Sequence, residues 1–334
     1  MTTNPATNNK TAPDIGEIFA LLRDDLAQVE AELARHANSA IEPVAAIARH
    51  LQESGGKRLR PALHLLGAKF CGYEGRASVH LGAVLELIHT ATLLHDDVID
   101  AADTRRGQIS SNRRWGNPMT VLAGDWLYME SFRIALGERN YRILDVLIGL
   151  TQTMVEGELL QLTTLGKLVD EAQALDIARR KTACLFSVSM QLAALLGGKS
   201  PEDEQRLAVY GLNLGLAFQI IDDLLDFTST SERLGKPVVS DLKEGKMTLP
   251  LVLALERAPH ARAKVDAVLH ERGFQSVSPQ EIVGLVRETG AIERTQARAA
   301  ELAAEAGRAL EPFPDSVYKR ALEALPQFVL TRDY

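Results

Sequence analysis

Apolar residues recur every three or four positions along most of this chain. Between residues 15 and 36 they fall at Ile18, Leu21, Leu22, Leu26, Val29 and Leu33, the period of a helix that buries one face. The same period predicts helices over 44–51, 61–70, 79–99, 121–136, 144–165, 175–196 and 207–227. Helix starts are also written into the chain. Ser200-Pro201-Glu202-Asp203 and Ser278-Pro279-Gln280-Glu281 each offer a serine cap, a proline at the first helical position and an acid at the third. Gly197-Gly198 ends the helix before the first of these. No alternating run is long enough for a useful strand, and no linker or repeat divides the chain. The polar, Gly-punctuated stretch 228–247 reads as a surface loop, and a loop of about twenty residues is unusual in a compact domain unless it is functional. The pattern therefore predicts one all-α domain over 14–334, a dozen or so helices, behind a loose polar tail over 1–13.

Composition narrows the function classes. Of 334 residues, 46% are hydrophobic, and 44 acidic against 37 basic side chains leave a net charge of −7. An acidic balance argues against a nucleic-acid partner, which calls for clustered basic surface. Two cysteines, Cys71 and Cys184, cannot make a disulfide framework or a zinc site. No apolar run is read as reaching the 18–20 residues of a membrane span, and no secretory signal is read at the N-terminus. A soluble cytoplasmic protein is the expectation.

Two apolar helices end in matching acidic clusters, Asp96-Asp97-x-x-Asp100 and Asp222-Asp223-x-x-Asp226. Spacings of i, i+1 and i+4 put the first and third carboxylates one helical turn apart on one face. Carboxylates on such apolar helices repel one another and are costly to desolvate unless a cation joins them. Oxygen donors without His or Cys suit a hard ion, Mg²⁺ before Ca²⁺. Because Mg²⁺ is usually shared between protein carboxylates and substrate phosphates, a diphosphate between the clusters is implied. One such cluster alone could be a solvated helix end. Two copies, about 126 residues apart in this sequence, are much harder to dismiss.

Cations stand where phosphates need them. Gly55-Gly56-Lys57-Arg58-Leu59-Arg60-Pro61 joins a glycine turn to a helix start, Arg105-Arg106-Gly107 follows the first cluster, Lys181-Thr182 interrupts an apolar helix, and Lys236 lies in the long loop. Singly each is a surface charge; together they supply roughly the charge of two diphosphates and several ions. His89 lies two turns before Asp96 on the same face, where a core role and a ligand contact are equally open.

At these residues the chain resembles the trans-polyprenyl diphosphate synthases, over 15–334. The segments that carry the likeness are GGKRLRP (55–61), IHTATLLHDDVID (88–100), RRG (105–107), GNPMTVLAGDWLY (116–128), EGELLQL (156–162), KTA (181–183), FQIIDDLLD (218–226) and LGKPVVSDLKEGKMTLP (234–250). The bacterial long-chain members, which make octaprenyl or nonaprenyl diphosphate for quinone side chains, look most similar. The resemblance implies the all-α isoprenoid synthase fold around a central cavity, a homodimer, and repeated condensation of isopentenyl diphosphate with an allylic diphosphate, farnesyl diphosphate being the expected primer. It implies three Mg²⁺ per site, held by Asp96, Asp100 and Asp222, with Asp97, Asp223 and Asp226 contributing directly or through water. Lys57, Arg60, Arg106 and His89 are implied to hold isopentenyl diphosphate, and Arg105, Lys181 and Lys236 the allylic diphosphate. Thr182 and Gln219 are implied to place oxygens near the allylic cation, and the 228–247 loop to close as a lid.

Short-chain members carry an aromatic four or five positions before the first Asp. Here Thr92 and Ala91 stand there, and Gly211 and Gly215 on the second helix either leave space or permit close helix packing; on the first reading a product of about eight isoprene units is expected. The alternatives are a farnesyl or geranylgeranyl diphosphate synthase, or a class I terpene cyclase, whose second motif is an Asn/Ser/Glu triad where this chain has Asp222-Asp223-Asp226. A regulatory subunit should have lost one Asp cluster. The role of Arg332-Asp333-Tyr334 is left unassigned.

Overall fold

The computed structural model describes residues 13–37, 41–53, 56, 58–105, 107–229 and 238–332. The helices are α1 (Ile15–Leu21), α2 (Arg23–His36), α3 (Glu42–Glu53), α4 (Leu59–Phe70), α5 (Ala77–Ile99), α6 (Ser111–Trp115), α7 (Asn117–Gly137), α8 (Tyr141–Thr164), α9 (Glu171–Ala178), α10 (Cys184–Leu196) and α11 (Pro201–Thr228). They continue as α12 (Ser240–Lys243), α13 (Leu249–Arg257), α14 (Arg262–Glu271), α15 (Pro279–Glu288), α16 (Ala291–Leu310) and α17 (Val317–Thr331). The all-α expectation holds. A two-residue pairing of Thr104–Arg105 with Gln108–Ile109 is the strand content among the described residues.

Three details depart from the sequence reading. The first helix breaks at Leu22, whose φ of −113° and ψ of 3° leave helical geometry while its side chain is fully buried. The 175–196 helix is interrupted by a π-helical turn over Arg179–Ala183. The 228–247 stretch is more than a surface loop, because its described second half folds back as α12 with Val239, Ser240 and Leu242 buried. The tail is not open to comparison, since residues 1–12 lie outside the described residues. The predicted caps hold: Ser200 accepts from the Asp203 N–H, and Ser278 and Glu281 form a capping box.

Two helices, α5 and α11, are after all long and apolar enough to cross a membrane by length and composition. Most of each is buried inside the fold, 72% and 67% of the relevant window. Their all-round apolarity belongs to a protein core. Around α5 pack α2, α4 and α7, and around α11 pack α10, α16 and α17. One continuous cluster of buried hydrophobics runs from Ile18 to Val329. Both cysteines are free and buried. The C-terminal ends of α5 and α11 carry the two Asp clusters to one opening.

Candidate active site

A polar cavity of ≈ 270 Å³ joins the two clusters: Asp96 and Asp100 line it from α5, and Asp223 from α11. Lys181, Thr182, Gln219 and Arg105 line it too. A second, mostly apolar cavity of ≈ 220 Å³ lies against it, sharing Asp96 and Lys181, and lined by Thr92, Tyr128, Met154 and Leu159 among others. A charged chamber thus sits on top of a greasy one.

The π turn explains how two polar side chains from an apolar helix reach the chamber. An extra residue in the turn bulges the helix and re-aims its side chains, a feature common at functional sites. Here it delivers Lys181 and Thr182. Its neighbours must come close: a Cβ on Gly157 of α8 would stand 2.6 Å from Arg180 Cβ and 3.0 Å from Lys181 N, and one on Gly215 of α11 2.7 Å from Ala183 Cα. A Cβ on Gly211 would likewise run into the Phe186 carbonyl oxygen. Of the two readings of Gly211 and Gly215, close packing therefore holds and open space does not. They are filled by the backbone of the π turn and α10.

Each Asp cluster splits into separate duties. Asp97 is fully buried; its Oδ1 accepts from Arg105 Nε at 2.5 Å and its Oδ2 from the Ser111 N–H at 3.2 Å. Asp226, buried as well, accepts from Ser240 Oγ at 3.0 Å and the Asp241 N–H at 3.2 Å, which docks α12 onto the end of α11. Neither lines the cavity. Asp100 is met by Lys246 Nζ at 3.0 Å and Asp222 by the Arg332 guanidinium at 2.5 Å. Among the described residues, the chain's own cations thus pair with Asp97, Asp100 and Asp222.

Asp96 and Asp223 form no ion pair among the described residues. Burial pushes Asp96 up to about 6, against the pull of Lys181. Burial and the Asp241 carboxylate raise Asp223 well above the usual range, and burial raises Asp222 against the pull of Arg332. Burial works against the Lys246 ammonium, but Asp100 and Glu244 outweigh it and hold its pKa up. Carboxylates held this high mark a place short of positive charge. The oxygen-only donor set fits a hard divalent ion. No three metal-binding side chains converge into a ready cage among the described residues. That too suits Mg²⁺, which takes one or two carboxylates and completes its shell with water and phosphate.

Thr182 Oγ1 donates to Gln219 Oε1 at 2.7 Å, and Gln219 Nε2 donates to Asp223 Oδ1 at 2.7 Å. Lys181 Nζ is bonded to Glu158 at 2.5 Å and Gln161 at 3.0 Å. Arg60 stacks over Phe186 at 5.3 Å, and its charge acts on Asp222. His89 is half-buried and lines neither cavity, and its carbonyl accepts from Thr92 Oγ1 at 2.7 Å. Thr92 lines the lower cavity, whereas Ala91 is fully buried behind it. Lys57, Arg106 and Lys236 lie outside the described residues.

The sequence reading missed Gln161, Asp241 and Arg332. Asp241 sits inside the motif at 234–250 and could have been found there. Arg332 had no local signal. Its Nη2 also donates to the Phe218 carbonyl at 2.6 Å, and the guanidinium lies 3.7 Å above the Phe218 ring.

Comparison with known proteins gives a consistent result. Residues 41–284 match the family model described as Polyprenyl synthetase. The octaprenyl diphosphate synthase of Escherichia coli (strain K12) is 37% identical over 321 residues, covering 96% of this chain and 99% of that one. A short chain isoprenyl diphosphate synthase of Methanothermobacter thermautotrophicus is 35% identical, covering 95% and 99%. The crystal structure of a polyprenyl synthase from Caulobacter crescentus CB15, complexed with calcium and isoprenyl diphosphate, superposes with a TM-score of 0.91 at 34% identity, covering 97% of this chain and 100% of that one.

Proposed function

The chain belongs to the polyprenyl synthetase family and is a trans-prenyltransferase, and from that premise we propose that it builds a long all-trans prenyl diphosphate of about eight isoprene units. The substrates are isopentenyl diphosphate and an allylic diphosphate, farnesyl diphosphate serving as primer. The observation that carries this reading is the stacking of two cavities through Asp96 and Lys181, one charged and one apolar. Such a pair suits a molecule with a diphosphate head and a hydrocarbon tail.

Asp96, Asp100 and Asp222, with Asp223 beside them, would hold three Mg²⁺ ions, which would supply neutralising charge to the leaving diphosphate. Arg105, Lys181 and Lys236 add fixed positive charge there, and Lys57, Arg60, Arg106 and His89 hold isopentenyl diphosphate. Thr182 has one hydroxyl proton, and it is committed to Gln219. Its oxygen lone pairs are therefore free to face the cationic carbon that forms when the allylic C–O bond breaks. Met154 and Tyr128, on the inner wall of the lower cavity, keep water from that carbon. The isopentenyl double bond then attacks, and departing diphosphate accepts the proton that is lost. The small side chain of Thr92, with Ala91 behind it, lets the tail pass where an aromatic would stop it. The protein works as a cytoplasmic homodimer, and quinone side chains are the use that suits such a product.

Asp96→Asn and Asp222→Asn should each lower diphosphate release by at least a thousandfold at saturating Mg²⁺, with helicity by circular dichroism unchanged. Near-normal turnover of either variant contradicts the three-metal reading.

A further inference from the structure

The lower cavity is too small for the product it is assigned. At ≈ 220 Å³ it falls below the roughly 300–1,000 Å³ of pockets that hold drug-sized ligands, and a chain of about eight isoprene units is longer than those. Along α5 and toward the start of α8 the packing is tight: Ile88, one turn before Thr92, and Leu147, two turns before Met154, are both fully buried. Outward, the cavity is open, since the wall residues Val155 and Leu159 are 54% and 57% exposed.

Those two residues belong to a larger apolar face. On α8, Tyr141, Ile148, Val155 and Leu162 are exposed at intervals of seven residues, and on α7 Leu122, Met129 and Leu136 repeat the same interval. A seven-residue repeat drifts only about 20° per step around a helix, so each set forms one stripe. The short connection over 138–140 makes α7 and α8 neighbours running in opposite directions. Helices of 21 and 24 residues at 1.5 Å per residue and about 10 Å spacing present a face of about 700 Å². A stable dimer buries about 800 Å² on each partner. A face of this size and repeat suits a second copy of the chain, packed helix against helix.

We propose that the partner copy forms one wall of the product channel, so that the growing chain leaves the lower cavity past Val155 and Leu159 and runs along the seam between subunits. This rests on the prenyltransferase and homodimer readings above. Chain length is then set by the pair of subunits. Alone, one subunit would expose the tail to water after a few units, and each methylene left outside adds to that cost.

The test separates these readings. The oligomeric state of the wild type and of a Met129→Glu/Ile148→Glu double variant is measured by light scattering, and their products from isopentenyl and farnesyl diphosphates are sized by chromatography. Neither substituted residue lines the charged or the apolar cavity described above. The proposal expects a dimeric wild type with long products, and a monomeric variant that still makes the first condensation but stops several units short. A folded monomer with the wild-type product distribution overturns it, and so does a folded monomer without any condensation, which would put the partner at the chemistry. A monomeric wild type with long products refutes the homodimer and this proposal with it. A dimeric wild type without condensation refutes the activity on which both rest. Should circular dichroism show the double variant unfolded, Leu159→Trp narrows the seam within the dimer. It is expected to shorten the product by at least two units, and unchanged length in that dimer overturns the proposal.

Discussion

At the level of single residues, the six aspartates look alike in sequence and do different work. The spacing rule correctly paired Asp96 with Asp100, because residues four apart share a helix face. It could not tell that Asp97 and Asp226 turn away to anchor Arg105 and α12, since that depends on partners 8 to 15 residues further along the chain. Arg332 was illegible for the same reason, as its partner Asp222 lies more than a hundred residues away. Arg332 pairs with Asp222, one of the carboxylates proposed to hold Mg²⁺, so guanidinium and ion compete for the same oxygens. A hydrogen bond to a charged group contributes about 1.5–3 kcal/mol. Arg332→Gln is therefore expected to tighten binding of Mg²⁺ alone about tenfold by calorimetry. Weaker Mg²⁺ binding in that variant would show that Arg332 helps to hold the metal site together.

At the level of elements, helix periodicity located the long helices to within a few residues. Leu22 and the π turn escaped it. Both are short departures whose cause is tertiary: Leu22 is buried by neighbours, and the π turn is squeezed between Gly157 and Gly215. Gly157→Ala forces a methyl against the Lys181 N–H, so the turn must shift and carry Lys181 and Thr182 with it. Overpacking of this kind costs about 1–3 kcal/mol, and turnover should fall at least tenfold with only a modest drop in melting temperature. Unchanged turnover would mean that the turn does not position those side chains.

Packing of α4 on α10 gives a pH prediction. His64 is fully buried and donates from Nδ1 to the Ser189 carbonyl at 2.9 Å. Burial pushes its pKa down to about 4, against 6.5 for a free histidine. The native state keeps the ring neutral where the unfolded chain takes up a proton. The stability this supplies is fully present above pH 6.5 and is lost as pH falls toward 4, on the order of 3 kcal/mol in all. Urea titrations of wild type and His64→Gln between pH 7 and 4 should converge as pH falls. A constant difference between them would show that His64 does not titrate there.

For the whole molecule, the sequence yielded the architecture and the shared site because α5 and α11 advertise both, through their apolarity and their acidic ends. Product length was less legible. The glycines on α11 hold helices together rather than make room, and a short chain relative is nearly as similar as an octaprenyl one. Length has to be read from the cavity and its exits. The decisive measurement is the size of the product when the wild-type enzyme is incubated with labelled isopentenyl diphosphate, farnesyl diphosphate and Mg²⁺, and the dephosphorylated alcohols are separated by reversed-phase chromatography. The account predicts a main product of about eight isoprene units; a product that stops at three or four units, or a cyclic hydrocarbon, would contradict it.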